Sequence, residues 1–532
     1  MTIVRRRTVW QRGAVAALLA LTAAACGSTV HQTGSRGAAG GSRQGGGEAG
    51  LDAGSVPGGA TSGDQPAGGI ASGTGAGGGS SATARRAGST NRASASNGSG
   101  IAGTAAAGNG PGVDAKTVNI GIAYAVNSSA ANAAIGANGV TQGDTKAEEQ
   151  ALIDDINAHG GFAGRKVVPV WHEYDATSTA SADAQEQAAC DDYTQDHKTF
   201  AVMDSARDPL LACLDKRGGL VVDSPLSASD GARFTRFPYY VEVASMNLDR
   251  SAAALAPALG AEGWAGGWDA SLGQPRSQKA KVGIVAYDYP TFAHAVDQVL
   301  VPGLAKVGLA PDAADVRRVT WLQSNSDAGA VAAAISSAVL KFRQDGVDHV
   351  IVFDERGLLT LLFLNNAQSQ HYYPRYGWTS QNGPQTFLDA GDVQPQQLVG
   401  SMGIGWLPQL DITPSQNLDN GPYSNDARRR CVALYRSKGI SFPDTNAEAG
   451  GLDICTQFWF FQAVGNALGS GPINRTRFMG AVERLGSSFQ GAGSLGLRFG
   501  PGQHDGIAVY RHYAYDAGCG CMRYKSGNIP VP

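Results

Sequence analysis

Between Gly27 and Gly112 the chain is mostly Gly, Ala and Ser, with hardly any large apolar residue. Such a segment cannot bury enough surface to offset the entropy of ordering it. It is expected to behave as a flexible coil of about 86 residues, spanning roughly 50 Å root-mean-square at ~5–6 Å × √n. All foldable sequence is thereby confined to 113–532, a length sufficient for two domains.

What precedes the tract explains why a spacer is there. Arg5, Arg6, Arg7 and Arg12 form a basic region, followed by an apolar run from Gly13 to Ala25. That run is too short to span a bilayer and reads as an export signal over 1–25. It closes on Leu21-Thr22-Ala23-Ala24-Ala25-Cys26. Small residues before a cysteine resemble the lipobox of bacterial lipoproteins, with Ala23 where Leu is usual. The resemblance implies lipidation of Cys26 and a tether (26–112) that holds the folded part outside the cell, anchored to the membrane. Two or more acyl chains suffice for stable anchoring without a transmembrane helix. The Arg6-Arg7 pair also allows twin-arginine export.

The net charge of −3 is near neutral, and no basic stripe points to nucleic acid. Beyond Cys26 six cysteines remain: Cys190, Cys213, Cys431, Cys455, Cys519 and Cys521. An even number in an oxidising compartment suggests disulfides, with 15 pairings possible. The grouping local in sequence is 190–213, 431–455 and 519–521. A zinc site from His504, His512, Cys519 and Cys521 is the rival, but its spacing matches no common zinc module. No metal and no cofactor is expected.

Strands and helices then alternate. Val118–Tyr124, Lys166–Trp171, Phe200–Met203 and Leu220–Val222 read as strands. Between them, Thr145-Lys146-Ala147-Glu148 has capping-box spacing. The helix it opens carries Leu152, Ile153 and Ile156 on one face and Glu148, Glu149, Asp154 and Asp155 on the other. Residues 177–197 read as a second helix, and Asp208-Pro209 as the cap and first-turn proline of a third. A second set follows, with strands at Lys281–Ala286, Val316–Trp321 and His349–Phe353 and helices between. Helices return at Asp426–Lys438, Glu448–Leu468 and Arg475–Leu485, and Leu497–Tyr524 reads as short strands. The pattern predicts an α/β protein with two doubly wound parallel sheets.

The stretch Ile153-Asp154-Asp155-Ile156-Asn157-Ala158-His159-Gly160-Gly161-Phe162-Ala163-Gly164-Arg165-Lys166-Val167 resembles the first helix, double-glycine turn and second strand of type I periplasmic binding proteins. The branch it resembles is the branched-chain amino-acid (Leu/Ile/Val) group of ABC-transporter substrate-binding proteins. Asp175-Ala176, Arg236-Phe237-Pro238-Tyr239-Tyr240, Ala286-Tyr287-Asp288-Tyr289-Pro290 and Leu398-Val399-Gly400-Ser401 fall in matching order. The resemblance covers roughly 115–525. It implies a first lobe from 113–247, a second from 248–400, and return segments in 401–532 that complete both. It further implies a three-strand hinge, closure on a small ligand, and delivery to an ABC permease. A first-lobe disulfide is also frequent in that family where Cys190 and Cys213 fall.

Carried onto this chain, the resemblance offers Ser205 after the third strand for a ligand carboxylate. After the fourth strand it offers Ser227, with Ala228 standing where the family often has Thr. Tyr289 is the second-lobe aromatic. Asp354 and Glu355 are acids for a ligand ammonium. Tyr124 and Trp378 are apolar walls. No Walker A loop, His-Glu-x-x-His or Gly-x-Ser-x-Gly occurs. Gly491-Ala492-Gly493-Ser494-Leu495-Gly496 fits Gly-x-Gly-x-x-Gly but neither follows a strong strand nor opens a helix. His172-Glu173 has no partners that complete a catalytic set. The expectation is binding of a small polar solute, an amino acid or related compound, with no enzymatic step. The alternative is a tethered sensor or interaction protein on the same fold.

Overall fold

A computed structural model describes residues 108–223, 228–413, 416 and 424–532. Cys26, the export signal, Ser227 and nearly all of the glycine-rich tract lie outside the described residues. Gly108–Gly112, read as the end of the tether, is tied into the folded body. Gly110 N donates to Ile473 O (2.7 Å) and Asn119 N donates to Gly112 O (2.8 Å). Gly112 has φ +64°, and a Cβ there would sit 2.3 Å from Lys198 O, so only glycine fits this turn.

The first sheet is five-stranded and fully parallel: β1 (Thr117–Val126), β2 (Lys166–Asp175), β3 (Ala201–Met203), β4 (Leu220–Asp223) and β5 (Tyr240–Glu242), in the order β2-β1-β3-β4-β5. Its inner strands β3 and β4 are short, mostly apolar runs buried on both faces, as a parallel sheet between helices requires. On one face Val118, Ile120 and Ile122 meet Leu152, Ile153 and Ile156 of the helix Thr145–Ala158. On the other Val202 and Val221 pack with Cys190, Tyr193, Leu210 and Leu214. Gly121 lets the Tyr193 ring lie directly on β1; a Cβ there would come within 2.6 Å of it.

A β-hairpin, β6 (Gly266–Asp269) with β7 (Gln274–Lys279), precedes the second sheet. The second sheet then repeats the plan of the first. Strands β8 (Val282–Asp288), β9 (Val316–Thr320), β10 (His349–Phe353), β11 (Arg375–Thr379) and β12 (Met402–Gly405) run parallel in the order β9-β8-β10-β11-β12. The C-terminal segment extends this sheet with antiparallel strands. β13 (Val509–Asp516) pairs with β12, and β14 (Cys521–Tyr524) and β15 (Ile529–Pro530) both pair with β13.

The chain passes between the two sheets three times: after β5, after β12, and between the helix Arg475–Leu485 and β13. The long helix Thr445–Leu468 packs against Thr145–Ala158 on the first-sheet side. There Phe461 stacks on Phe162 at 4.0 Å between ring centroids, and Phe478 closes over both. The three local cysteine pairs are formed: Cys190–Cys213, Cys431–Cys455 and Cys519–Cys521. The last removes two of the four ligands of the rival zinc site. His512 meanwhile lies against Glu262 (2.6 Å).

Candidate functional site

Each sheet ends its strands toward the other, and a cleft of about 820 Å³ lies between them. Its walls include residues at or just after the ends of six strands. Tyr124 and Ala125 finish β1, Tyr174–Ala176 finish β2, and Asp204–Arg207 follow β3. From the second sheet come Tyr289 after β8, Trp321–Ser324 after β9, and Glu355 and Arg356 after β10. In an open parallel sheet the crevice lies where neighbouring strands send their connections to opposite faces. That switch falls between β1 and β3 in one sheet and between β8 and β10 in the other, and the cleft joins both. The short helix Ser128–Ala134 adds Ser128, Ala131 and Asn132 to the wall.

Of the residues anticipated from sequence, Tyr124, Ser205, Tyr289 and Glu355 line this cleft. The Tyr124 hydroxyl donates to Glu173 Oε2 (2.8 Å) and accepts from Lys146 Nζ (3.1 Å), whose ammonium also lies 4.2 Å from the ring centroid. Tyr289 packs on Trp321, with centroids 4.8 Å apart. Burial pushes the Glu355 carboxyl up to about 7, against the pull of Arg356 and Arg207.

Asp354 and Trp378 do not reach the cleft, contrary to expectation. Asp354 is turned into its own turn. Its carboxylate accepts from Glu355 N (2.7 Å), Thr360 N (2.8 Å) and Thr360 Oγ1 (2.8 Å), and so secures the first turn of the helix Leu358–Ser369. Trp378 is fully buried within β11 and stacks on Tyr376 at 4.7 Å. An indole at a central strand position packs between sheet and helices and cannot serve as a wall.

Several cleft residues were not singled out from sequence. Trp321 lines it, with the Arg207 guanidinium 5.3 Å from its ring centroid. Arg207 spans the cleft, donating to Leu322 O (3.4 Å) and Gln323 Oε1 (3.5 Å) on the second-sheet side. Close by, Ala182 N donates to Gln323 O (2.8 Å). Arg233 is buried. It holds the loops after β3 and β4 together through Ala206 O (2.6 Å) and Ala228 O (3.1 Å), and pairs with Asp208 at 3.2 Å. Asp208 is therefore the first helical residue and an ion-pair partner rather than the expected cap. The amides at that helix start go instead to Glu186, which accepts from Arg207 N (2.7 Å) and Leu210 N (3.2 Å). Burial, as the leading cause, raises the Glu186 carboxyl to about 7. Asp204 rises to about 8, through burial first and then the charges of Asp223 and Glu186.

The helix Thr145–Ala158 also departs from its reading. Its cap is Asp144, whose carboxylate accepts from Ala147 N (3.0 Å), one residue ahead of the expected Thr145. Glu148 and Glu149, expected on the solvent face, are 1% and 5% exposed and line the cleft. Only Asp154 and Asp155 of that acidic set face outward, Asp154 exposed and Asp155 partly so. Burial, with the Asp144 charge beside it, pushes Glu148 up to about 7. Glu149 lies well above the usual carboxylate range, through burial and then the charges of Glu148 and Asp204. The hint in the sequence is position: these acids occupy the first turn and a half of a helix whose start faces the strand ends.

No protein-family model matches the sequence, and no curated protein does either. Solved structures match in fold. A solute-binding protein of an ABC transporter from R. palustris, in complex with 4-hydroxybenzoate, aligns over 78% of this chain and 98% of its own at 13% identity, with a TM-score of 0.55. A second, from Rhodopseudomonas palustris BisB5 and in complex with 3,4-dihydroxybenzoic acid, gives 11% identity, 78% and 98% coverage and a TM-score of 0.53. A possible leucine/isoleucine/valine-binding protein from Rhodopirellula baltica SH 1 gives 14%, 78% and 97%, and 0.50. The chain therefore has the two-lobed α/β fold of these binding proteins, the type I periplasmic binding fold that its sequence resembles.

Proposed function

We propose that this chain is an extracytoplasmic solute-binding protein that closes two lobes on a small polar ligand and delivers it to an ABC permease. The observation that carries the reading is the cleft at the carboxyl ends of β1, β2, β3, β8, β9 and β10. It joins the switch points of two sheets of the same order, and its volume falls within the range of small-molecule sites. The activity is binding without a chemical step. Lobe 1 comprises 113–247 and lobe 2 comprises 248–400, with 401–532 completing both. The three passages between the sheets serve as the hinge, and closure creates the surface a permease reads. Ser205, Tyr124, Tyr289 and Glu355 contact the ligand, an amino acid or related compound. Lipid on Cys26 and the glycine-rich tether hold the binding body near the membrane.

The test is thermal melting of the purified protein against amino acids, amides, small acids, amines, sugars and nucleosides. A ligand at 100 times its dissociation constant adds about 2.7 kcal/mol, which a melt resolves readily. A saturable shift supports the reading. No shift, together with no small molecule released on denaturation and mass analysis, overturns it.

A further inference from the structure

The interior of the cleft holds two carboxyl oxygens that no group in the protein answers. Glu148 Oε1 and Glu149 Oε2 are buried without a hydrogen-bond partner, and both side chains line the cleft. The charged groups that act on them among the described residues are Asp144, Asp204 and each other, all acidic. The cleft's guanidinium groups act elsewhere: Arg207 reaches the loop after β9, Arg233 is fixed between two loops and Asp208, and Arg356 acts on Glu355 and Asp204. Gly143, also in the wall, leaves room for the Glu148 carboxyl to pack against its backbone; a Cβ there would lie 2.1 Å from Glu148 Oε1. An unpaired carboxylate in an apolar interior costs several kcal/mol. Such a site is stable in use only if its counter-charge arrives with the ligand.

Resting on the binding-protein reading, we propose that this end of the cleft is a subsite for a protonated amine, received by the Glu148 and Glu149 carboxylates. An ammonium offers three N–H donors, which suits free carboxylate oxygens on adjacent residues. A hard divalent ion would require six to eight oxygen ligands. The subsite lies on the first-lobe helix, not on Glu355 in the second lobe, where the family resemblance looks for an ammonium partner. The ligand class that follows is an organic cation, or a zwitterion whose amino end enters first.

The experiment titrates agmatine, putrescine, lysine and choline, with 4-hydroxybenzoate, glucose and calcium as contrasts, by melting and calorimetry. The proteins compared are wild type, Glu148→Gln/Glu149→Gln, and Asp154→Asn on the solvent side of the same helix. The double variant removes buried charge and keeps the shape, so it is expected to melt no lower than wild type. An amine probe is expected to bind, and to lose roughly ten- to a hundredfold in affinity in the double variant with no loss in Asp154→Asn. Proton release on binding near pH 7, read from the buffer dependence of the heat, is expected as the carboxyls ionise against the amine. Unchanged affinity in the double variant overturns the subsite. So does stabilisation by benzoate, glucose or calcium without any by amines, and in either case the binding-protein reading stands. Silence from every probe, with nothing bound in the purified protein, overturns that reading itself.

Discussion

Replacing Glu148 with Gln measures the energetic consequence of leaving a carboxyl unanswered. Its proton is held with a pKa near 7, against an ordinary 4.5, because burial and Asp144 oppose the charged form. The folded protein therefore binds this proton more tightly than the unfolded chain. Stability from the group is fully present below pH 4.5 and is lost as pH rises through 7. At 1.36 kcal/mol per pH unit, the gap between 4.5 and about 7 amounts to about 3 kcal/mol. Unfolding entropy is about 2.1 cal/mol/K per residue, or about 0.9 kcal/mol/K over about 425 residues, so the difference corresponds to about 3 °C in Tm. Glu148→Gln in ligand-free protein is thus expected to melt with wild type at pH 4.5 and to exceed it by up to ~3 °C at pH 8. The assay is a differential scan of both proteins across pH 4.5–8. A flat gap across that range, or a variant less stable than wild type at pH 8, would refute the reasoning, because the carboxylate would then have a partner or free access to water.

Phe162→Ala removes the ring stacked on Phe461 and flanked by Phe200 and Phe478; a loss of about 3–5 kcal/mol is expected in denaturant unfolding. Peptide mapping under non-reducing conditions is expected to recover Cys190–Cys213, Cys431–Cys455 and Cys519–Cys521 with no free thiol. Ser205→Ala is expected to weaken the ligand found in the melting panel by ~0.5–1.5 kcal/mol, and unchanged affinity would remove Ser205 from the site. Cys26→Ala is expected to move the protein from the membrane fraction to the medium, and retention at the membrane would exclude lipid on Cys26.

The alternation of strands and helices was legible because each element carries its own period. β10 and the helix Arg475–Leu485 fall where their apolar runs begin and end. Less legible were features set by tertiary neighbours. β2 runs on to Asp175 because β1 continues beside it in register, so the polar His172-Glu173 pair is strand. β13 joins β12 antiparallel, a pairing across more than a hundred residues that no local pattern specifies. In the cleft, Tyr124, Ser205, Tyr289 and Glu355 could be placed because each lies near or just after a strand end. Asp354 obeys the same rule and Trp378 sits near the end of β11, yet the structure turns both inward. The side chain immediately after a parallel strand can face either the cleft or its own helix start, and sequence position does not decide between them. Glu148 and Glu149 were misplaced for a complementary reason. Helical periodicity separates apolar from polar faces, but it cannot tell a polar face in solvent from one closed over by the helix Thr445–Leu468 and the strand ends.

That misplacement bears on what the cleft can accept. A parallel α/β sheet directs helix N-termini at its ligand, and their free amides ordinarily favour an anion. Here the protein occupies those positions with its own acids. Arg207 N and Leu210 N, at the start of the helix after β3, are taken by Glu186. Ala147 N, at the start of the helix Thr145–Ala158, is taken by Asp144, and Glu148 sits in that helix's first turn. The partial positive charge of each helix start is thus met before any solute arrives. What remains unanswered at the first-lobe wall is a pair of buried carboxyl oxygens, on Glu148 and Glu149. A fold whose backbone geometry suits carboxylates has been turned, by three acidic side chains at helix starts and a fourth one residue on, into a cleft better matched to a cation.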